Sequence, residues 1–229
     1  MDKILIVEDD KDIRDILRIY LEGEFFEIWE AENGKEAFEI LENKKPDLVI
    51  LDLMLPDIDG LNICKNIRTK YNYPIIMITA KTADQDKIIG LTYGADDYIT
   101  KPFNPLEVLA RVKAQLRRYK QYGEDIRDDN TIYYKGLILE RKSRQVNLNN
   151  KELKLTPTEF NLLEILLLNK GQVLSGEKLF HLLWEHEYYS KSTNTITVHV
   201  RNLREKMKDS FEHPEYIKTV WGVGYIIEA

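Results

Sequence analysis

Five short apolar-rich runs punctuate the first half of the chain: Lys3 to Val7, Phe25 to Trp29, Asp47 to Leu51, Pro74 to Thr79 and Asp97 to Thr100. Runs this short and continuous predict strands buried on both faces. Between them the apolar residues take helical spacing. Ile13, Ile16, Leu17, Tyr20 and Leu21 share one face, Leu61, Cys64 and Ile67 a second, and Leu109, Val112 and Leu116 a third. Strict alternation of strand and helix implies an α/β unit: a doubly wound, five-stranded parallel sheet with helices on both faces.

The second half has a different rhythm. Thr156-Pro157-Thr158-Glu159 is a capping box with proline at the first helical position, and Phe160, Leu163, Leu166 and Leu167 give the helix it starts a core face. Another helix follows Ser175, with Leu179, Leu182 and Leu183 expected inward. From Ser192 to Lys208, Ile196, Val200, Leu203 and Met207 repeat at helical intervals and define a buried stripe. The remaining surface offers Asn194, Thr197, Val198, His199, Arg201, Asn202, Arg204 and Lys208. Such a mixture suits DNA: cations neutralise phosphate, amides pair with adenine, and an exposed valine meets a thymine methyl. Ile217 to Val220, a glycine-rich turn at Trp221-Gly222-Val223-Gly224, and Tyr225 to Ile227 then predict a hairpin. Helices followed by a terminal hairpin make this an α+β winged helix.

Composition and charge support two units. The chain has 229 residues, 43% of them hydrophobic and 31% charged, so it has ample apolar material for packed cores. Residues 1–120 hold 18 basic and 23 acidic side chains, whereas residues 130–229 hold 14 and 12. The polar stretch at 121–130 has almost nothing to bury and is expected to link a first domain, 1–120, to a second, 131–229. No apolar run reaches membrane-spanning length, and Ile4 to Val7 followed by Glu8-Asp9-Asp10 is too short and too acidic for a secretory signal. With Cys64 as the single cysteine, no intrachain disulfide forms, and a cytoplasmic address is expected.

In a parallel sheet, function gathers beyond the carboxyl ends of the strands. Glu8, Asp9 and Asp10 follow the first strand, Asp52 follows the third, Thr79 ends the fourth and Lys101 follows the fifth. Asp10 has an ordinary use as a helix cap. The others converge, and crowded carboxylates call for a cation; hard oxygen ligands suit Mg²⁺. An aspartate beside Mg²⁺ and an ammonium stays ionised as a nucleophile for a phosphoryl group, and Asp52 is the expected nucleophile.

These residues, with Leu51-Asp52, Pro56 and Gly60, Ile78-Thr79-Ala80 and Asp96-Asp97-Tyr98-Ile99-Thr100-Lys101-Pro102-Phe103, resemble a response-regulator receiver domain. With the second half, the chain resembles the OmpR/PhoB family. The resemblance implies that Glu8, Asp9, Asp52 and the Met54 carbonyl hold Mg²⁺. It implies that Asp52 takes a phosphoryl group from a sensor histidine kinase, with Lys101 pairing to it, Thr79 binding a phosphoryl oxygen and Tyr98 acting as a switch. A cis Lys101-Pro102 bond is expected, and Met54 and Lys81 flank the site where water removes the phosphate. The protein would not be an enzyme beyond slow autodephosphorylation. Homodimerisation would run through the fourth helix, fifth strand and fifth helix, using Lys87, Asp96, Asp97, Glu107, Arg111 and Arg118, with Lys87 opposite Glu107 and Asp97 opposite Arg111 across a two-fold axis.

For the second domain the resemblance implies a strand platform at about residues 133–155 with a turn at Asn149-Asn150. It implies a recognition helix, Thr193 to Lys208, in the major groove, and RNA polymerase as a partner at the promoter. It adds Thr195, Thr219, Trp221 and Tyr225 to the DNA contacts. Two positions depart from the family: Trp221 stands where many relatives have arginine, and Asn202 where some do. A positive excess of two charges over residues 130–229 predicts modest affinity per module and paired half-sites. His181, His186, His199 and His213 have no metal-ligand spacing. Short stretches at Gly94 to Phe103, Ala110 to Lys120 and Thr219 to Tyr225 are similar to vancomycin-resistance regulators. Two other classes fit the sequence less well. A phosphatase with an aspartate nucleophile needs an acid two residues later, where this chain has Met54; a phosphate-independent dimerisation scaffold is disfavoured by the complete acid, threonine and lysine set.

Overall fold

A computed structural model describes residues 1–80, 90–121, 130–184 and 193–229. The chain divides into two compact units, Met1–Arg117 and Arg118–Ala229. Most of the expected linker, residues 122–129, lies outside the described residues.

In the first unit, β1 (Lys3–Val7), α1 (Lys11–Glu22), β2 (Glu27–Ala31), α2 (Gly34–Asn43), β3 (Leu48–Asp52), α3 (Gly60–Lys70) and β4 (Ile75–Thr79) follow in order. A helical turn at residues 90–92 (α4), β5 (Asp97–Thr100) and α5 (Pro105–Gln121) complete it. The sheet order is β2-β1-β3-β4-β5, parallel throughout. The chain turns one way from β1 to β2 and the other way to β3, so a crevice opens beyond the ends of β1 and β3. Ile4, Ile6, Leu48, Ile50, Ile76, Ile78 and Ile99 form the sheet's share of a core that residues including Leu17, Leu21, Val108, Val112 and Leu116 cover from the helices.

Two expectations shift. Strand β2 begins two residues later than the apolar run, because Gly23, Glu24, Phe25 and Phe26 spend their amides on the last carbonyls of α1. Phe25 takes a φ of 63° and stays 80% exposed. On α1, Leu17 and Leu21 are buried, but Ile16 and Tyr20 are exposed; the buried stripe is narrower than its apolar face.

The second unit starts with an antiparallel sheet of β6 (Thr131–Tyr134), β7 (Leu137–Glu140), β8 (Gln145–Leu148) and β9 (Lys151–Glu152). Asn149 (φ 49°) and Asn150 (φ 65°) form the β8–β9 turn, where two left-handed residues match the twist of the strands. Then come α6 (Pro157–Leu168), β10 (Leu174–Ser175), α7 (Gly176–Trp184), α8 (Thr193–Met207), β11 (Lys218–Val220) and β12 (Gly224–Ile226). The Thr156–Glu159 capping box is complete, with both reciprocal bonds formed. Helix α6 is buried almost all round, and its polar residues meet cations or amide donors there: Glu164 accepts from Arg141, Asn161 from Arg144 at 2.9 Å and Glu159 from Lys206. Burial raises the Glu164 carboxyl above its ordinary value, with Arg141 opposing it. Leu182, expected inward, is 41% exposed.

The terminal hairpin is joined by β10 in a sheet ordered β10-β12-β11, a third strand the hydrophobic pattern did not indicate. Gly224 makes that possible, since a Cβ there would lie 2.0 Å from the Leu174 carbonyl oxygen. Wing, helix-turn-helix and leading sheet share one core that includes Leu139, Val146, Phe160, Leu163, Leu183, Trp184, Ile196, Val200, Leu203 and Ile227.

Candidate functional site

The crevice is built by the register of the parallel strands. Val7 pairs with Leu51, Asp52 with Ile78 and Thr79 with Thr100, so Glu8, Asp52, Thr79 and Lys101 emerge side by side. Glu8, Asp52 and Thr79 are at most 3% exposed. The Lys101 ammonium reaches back from the end of β5 and donates to Asp52 Oδ2 at 2.6 Å and to Glu8 Oε1 at 2.8 Å. The Met54 amide donates to Asp52 Oδ1 at 2.9 Å, which leaves one Asp52 oxygen on the backbone and the other on the lysine. The Lys101-Pro102 peptide is cis, as expected.

Electrostatics follow from this crowding. Burial, reinforced by the charge of Asp52, raises the Glu8 carboxyl to about 7 against the pull of Lys101. Burial also opposes the Lys101 charge, but hydrogen bonds and charges from Asp52 and Glu8 outweigh it and raise the ammonium above its ordinary value. Glu8, Asp9 and Asp52 each offer an oxygen within 4.8 Å of the others. Glu8 Oε2 is buried with no hydrogen-bond partner among the described residues. An orphaned carboxylate oxygen within an all-oxygen acidic cluster is what a hard divalent cation satisfies, so the residues fit Mg²⁺.

The loop after β3 is tied down at several points. A Cβ on Gly60 would lie 2.2 Å from the Asp52 carbonyl oxygen, so only glycine lets α3 start against the Asp52 backbone. Asp59 caps α3 through the Leu61 amide. Asp57 accepts from the amides of Gly34 (2.8 Å) and Lys35 (3.0 Å) at the start of α2. The Gly34 bond, helped by Lys35 and Ile58 against slight burial, holds the Asp57 carboxyl below its ordinary value. Neither Asp57 nor the basic residue Arg14 stood out in the sequence; acids between Pro56 and Gly60, and an arginine four residues after a helix cap, are the available signals. Asp10 is that cap, accepting from Asp12 and Ile13.

Several of the charged residues expected at a dimer face have partners within the chain. Asp96 is fully buried and accepts from Arg68 at 2.6 Å and from the Ile75 amide at 2.9 Å; it clamps the entrances of β4 and β5 and is no surface residue. Asp97 and Arg111, expected to meet across a two-fold axis, pair within one chain at 2.8 Å, and Arg111 also bonds Glu107 at 2.9 Å. Burial opposes the Arg111 charge, but Asp97, then Glu107, hold its guanidinium above the ordinary value. The spacing of β5 and α5 puts these partners within reach in cis, so no second chain is needed to satisfy them. Lys87 and Lys81 lie outside the described residues, as does the side chain of Arg118. Tyr98 is half-buried.

On α8 the outward face expected from the apolar stripe is largely inside. Thr195, Val198, His199, Asn202 and Arg204 are all at most 7% exposed. The helix packs on α6 and α7, and burial extends beyond the stripe. His199 lies beside Trp184, with ring centroids 6.1 Å apart. Arg204 turns toward the wing, donating to the Ile217 carbonyl at 2.6 Å and to Thr219 Oγ1 at 2.9 Å, with its guanidinium 5.5 Å from the Phe211 ring. Burial lowers its guanidinium from the ordinary value. Thr197, Arg201 and Lys208 remain exposed; the Asn194 side chain lies outside the described residues. Tyr225 donates to Thr197 Oγ1 at 3.3 Å, a second tie between wing and helix. At the wing turn, Trp221 is 77% exposed and packs edge-to-face on Phe211 at 6.0 Å.

Residues 4–113 match the response regulator receiver domain, and residues 150–227 match the C-terminal domain of transcriptional regulatory proteins. The chain belongs to the two-component response regulators of OmpR/PhoB type, with a CheY-like receiver and a winged-helix DNA-binding output domain. Over its full length it is similar to DrrB of Thermotoga maritima, an OmpR/PhoB homologue (32% identity, TM-score 0.54, all of both chains covered). A RitR mutant structure is likewise similar (25% identity, TM-score 0.78, all of both chains covered). Among curated proteins, the chain is 56% identical to the regulatory protein VanR of Enterococcus faecium over 228 residues, covering 99% of each. It is 46% identical to VanRc of Enterococcus gallinarum, again covering 99% of each. No helix among the described residues is long and apolar enough to cross a membrane.

Proposed function

We propose that this response regulator accepts a phosphoryl group on Asp52 from a sensor histidine kinase, dimerises in response, and binds paired promoter half-sites to control glycopeptide-resistance genes. The observation that carries the reading is the buried Asp52–Lys101–Glu8 arrangement, with Lys101 Nζ 2.6 Å from one nucleophile oxygen. An Asp52 oxygen attacks phosphorus, the bond to the donor breaks, and the donor nitrogen leaves with its electron pair. The Met54 amide keeps the other oxygen oriented, the Lys101 ammonium offsets the added negative charge, and the Thr79 hydroxyl donates to a phosphoryl oxygen. Glu8, Asp9, Asp52 and the Met54 carbonyl would hold Mg²⁺, which neutralises charge on the transferred group.

Output runs through the second unit. Thr197, Arg201 and Lys208 supply the exposed helix contacts, and Trp221 offers sugar edges an aromatic face where a guanidinium would offer charge. Bound at the promoter, the regulator would recruit RNA polymerase. Dimerisation requires Asp97 and Arg111 either to keep their partner within the chain or to exchange it for the same residue of a second copy.

The test uses the full chain and Asp52→Asn, each incubated with acetyl phosphate and Mg²⁺, followed by measurement of dimer fraction and promoter footprint. Wild type gains both and Asp52→Asn gains neither. Equal behaviour of the two proteins overturns the phosphorylation switch and leaves a constitutive DNA-binding regulator.

A further inference from the structure

Glu8 and Asp9 are adjacent in sequence and converge with Asp52, although the mutual repulsion of these carboxylates favours a splayed loop. What holds the loop is a residue outside the acidic set. Arg14, one turn into α1, donates from a single guanidinium nitrogen to two successive backbone carbonyls, Glu8 O at 2.6 Å and Asp9 O at 2.9 Å. Its own amide donates to the carbonyl of Asp10 at 3.0 Å, so carbonyls 8, 9 and 10 all end on one residue. Upstream, the Glu8 amide donates to the Ala31 carbonyl on β2. The Arg14 side chain is only 13% exposed, and its other terminal nitrogen lies 3.6 Å from the exposed Glu32 carboxylate.

We infer that Arg14 is a positioning residue for the cation site: by gathering the Glu8 and Asp9 carbonyls it sets the backbone from which both carboxylates reach the crevice. The inference rests on the Mg²⁺ reading of that crevice. Asp9 depends on it most, because its side chain is exposed and its direction is set by the loop. Asp10 is already committed to the α1 cap, and Glu8 is held by Lys101. Arg14 is therefore the tie from α1 that acts on the peptide groups of Glu8 and Asp9 themselves.

Charge alone predicts the opposite result, which makes the inference testable. A guanidinium behind a cation site repels the cation, so deleting its charge should tighten Mg²⁺ binding if Arg14 acts only through electrostatics. If Arg14 positions the ligands, deleting it weakens binding, and partners that orient metal ligands typically account for about 10- to 100-fold in affinity.

The experiment titrates Mg²⁺ alone, by calorimetry, into the full chain without phosphoryl donor, comparing wild type with Arg14→Met, Arg14→Lys and Glu32→Gln. Thermal unfolding is recorded in metal-free buffer for each. Arg14→Met is expected to lose about 10-fold in Mg²⁺ affinity. Arg14→Lys, which keeps a donor, recovers most of it. Glu32→Gln leaves it unchanged, and the metal-free unfolding midpoints stay close together. Unchanged or tighter Mg²⁺ binding in Arg14→Met overturns the inference, as does an equal fall of affinity and metal-free stability in both Arg14 variants. Wild type that takes up no Mg²⁺ removes the metal reading and this inference with it. Wild type that binds Mg²⁺ indifferently to Arg14 removes the inference alone.

Discussion

The crevice at the strand ends and the polar side of α8 both concentrate charged and amide residues, yet the fold uses them in different ways. In the crevice Glu8, Asp52 and Lys101 meet at the strand ends, within hydrogen-bonding distance of the lysine. On α8, Arg204 is a strut to the wing, while Asn202 and His199 are buried in the domain. The difference comes from what surrounds each group. A residue just past the end of a central parallel strand has one direction open to it, because sheet and helices close the others. A helix packed on two neighbours buries far more than its apolar stripe, and polar residues bordering the stripe become internal ties.

The sharpest way to break this contrast is to exchange Asp52 for Asn. Phosphate incorporation from acetyl phosphate should fall to background while the chain stays folded, as read by radiolabel or phosphate-affinity electrophoresis; retained incorporation would mean that the nucleophile lies elsewhere. On α8 the expected signature is reversed. Arg204→Met strands the Ile217 carbonyl and Thr219 hydroxyl and should destabilise the second unit by about 2–3 kcal/mol, measured by urea unfolding. Arg201→Met, at an exposed position where the guanidinium pairs with Glu205, should cost less than about 0.5 kcal/mol but lower DNA affinity and reduce the salt slope by about one. If the two arginines exchange these signatures, the burial pattern of α8 is wrong.

A smaller effect is expected at the wing. Trp221→Ala should weaken duplex binding by about 1 kcal/mol, roughly fivefold, with the salt slope unchanged, because an aromatic contact releases no counterions. Smallest is the pH signature of Asp57. Its folded pKa is depressed by the Gly34 and Lys35 amides, so its contribution to stability is present above the ordinary carboxylate value and is lost as pH falls through the depressed value. Asp57→Asn should therefore melt below wild type at neutral pH, and the two should converge in strong acid.

The hydrophobic rhythm made much of the architecture legible: five strands in alternation with helices and the terminal hairpin lie where spacing puts them, while the Thr156 capping box was legible from its motif and the Asn149-Asn150 turn from the family resemblance. It misled where local order was overridden. Phe25 belongs to an apolar run, but α1 needed the amides around it, so β2 starts later. The third strand of the wing sheet is only Leu174–Ser175, too short to leave a period.

Which residues form the acidic crevice could be read from the chain because strand ends are sequence-local features, and parallel topology converts their order into proximity. Partner choice could not be read this way. Arg111 takes Asp97 within its own chain, Arg68 takes Asp96, and Arg14 takes two carbonyls of the acidic loop after β1. Each of those pairings depends on where a long cationic side chain finds a low-dielectric, hydrogen-bonded terminus, and that is settled by packing in three dimensions, not by position along the chain.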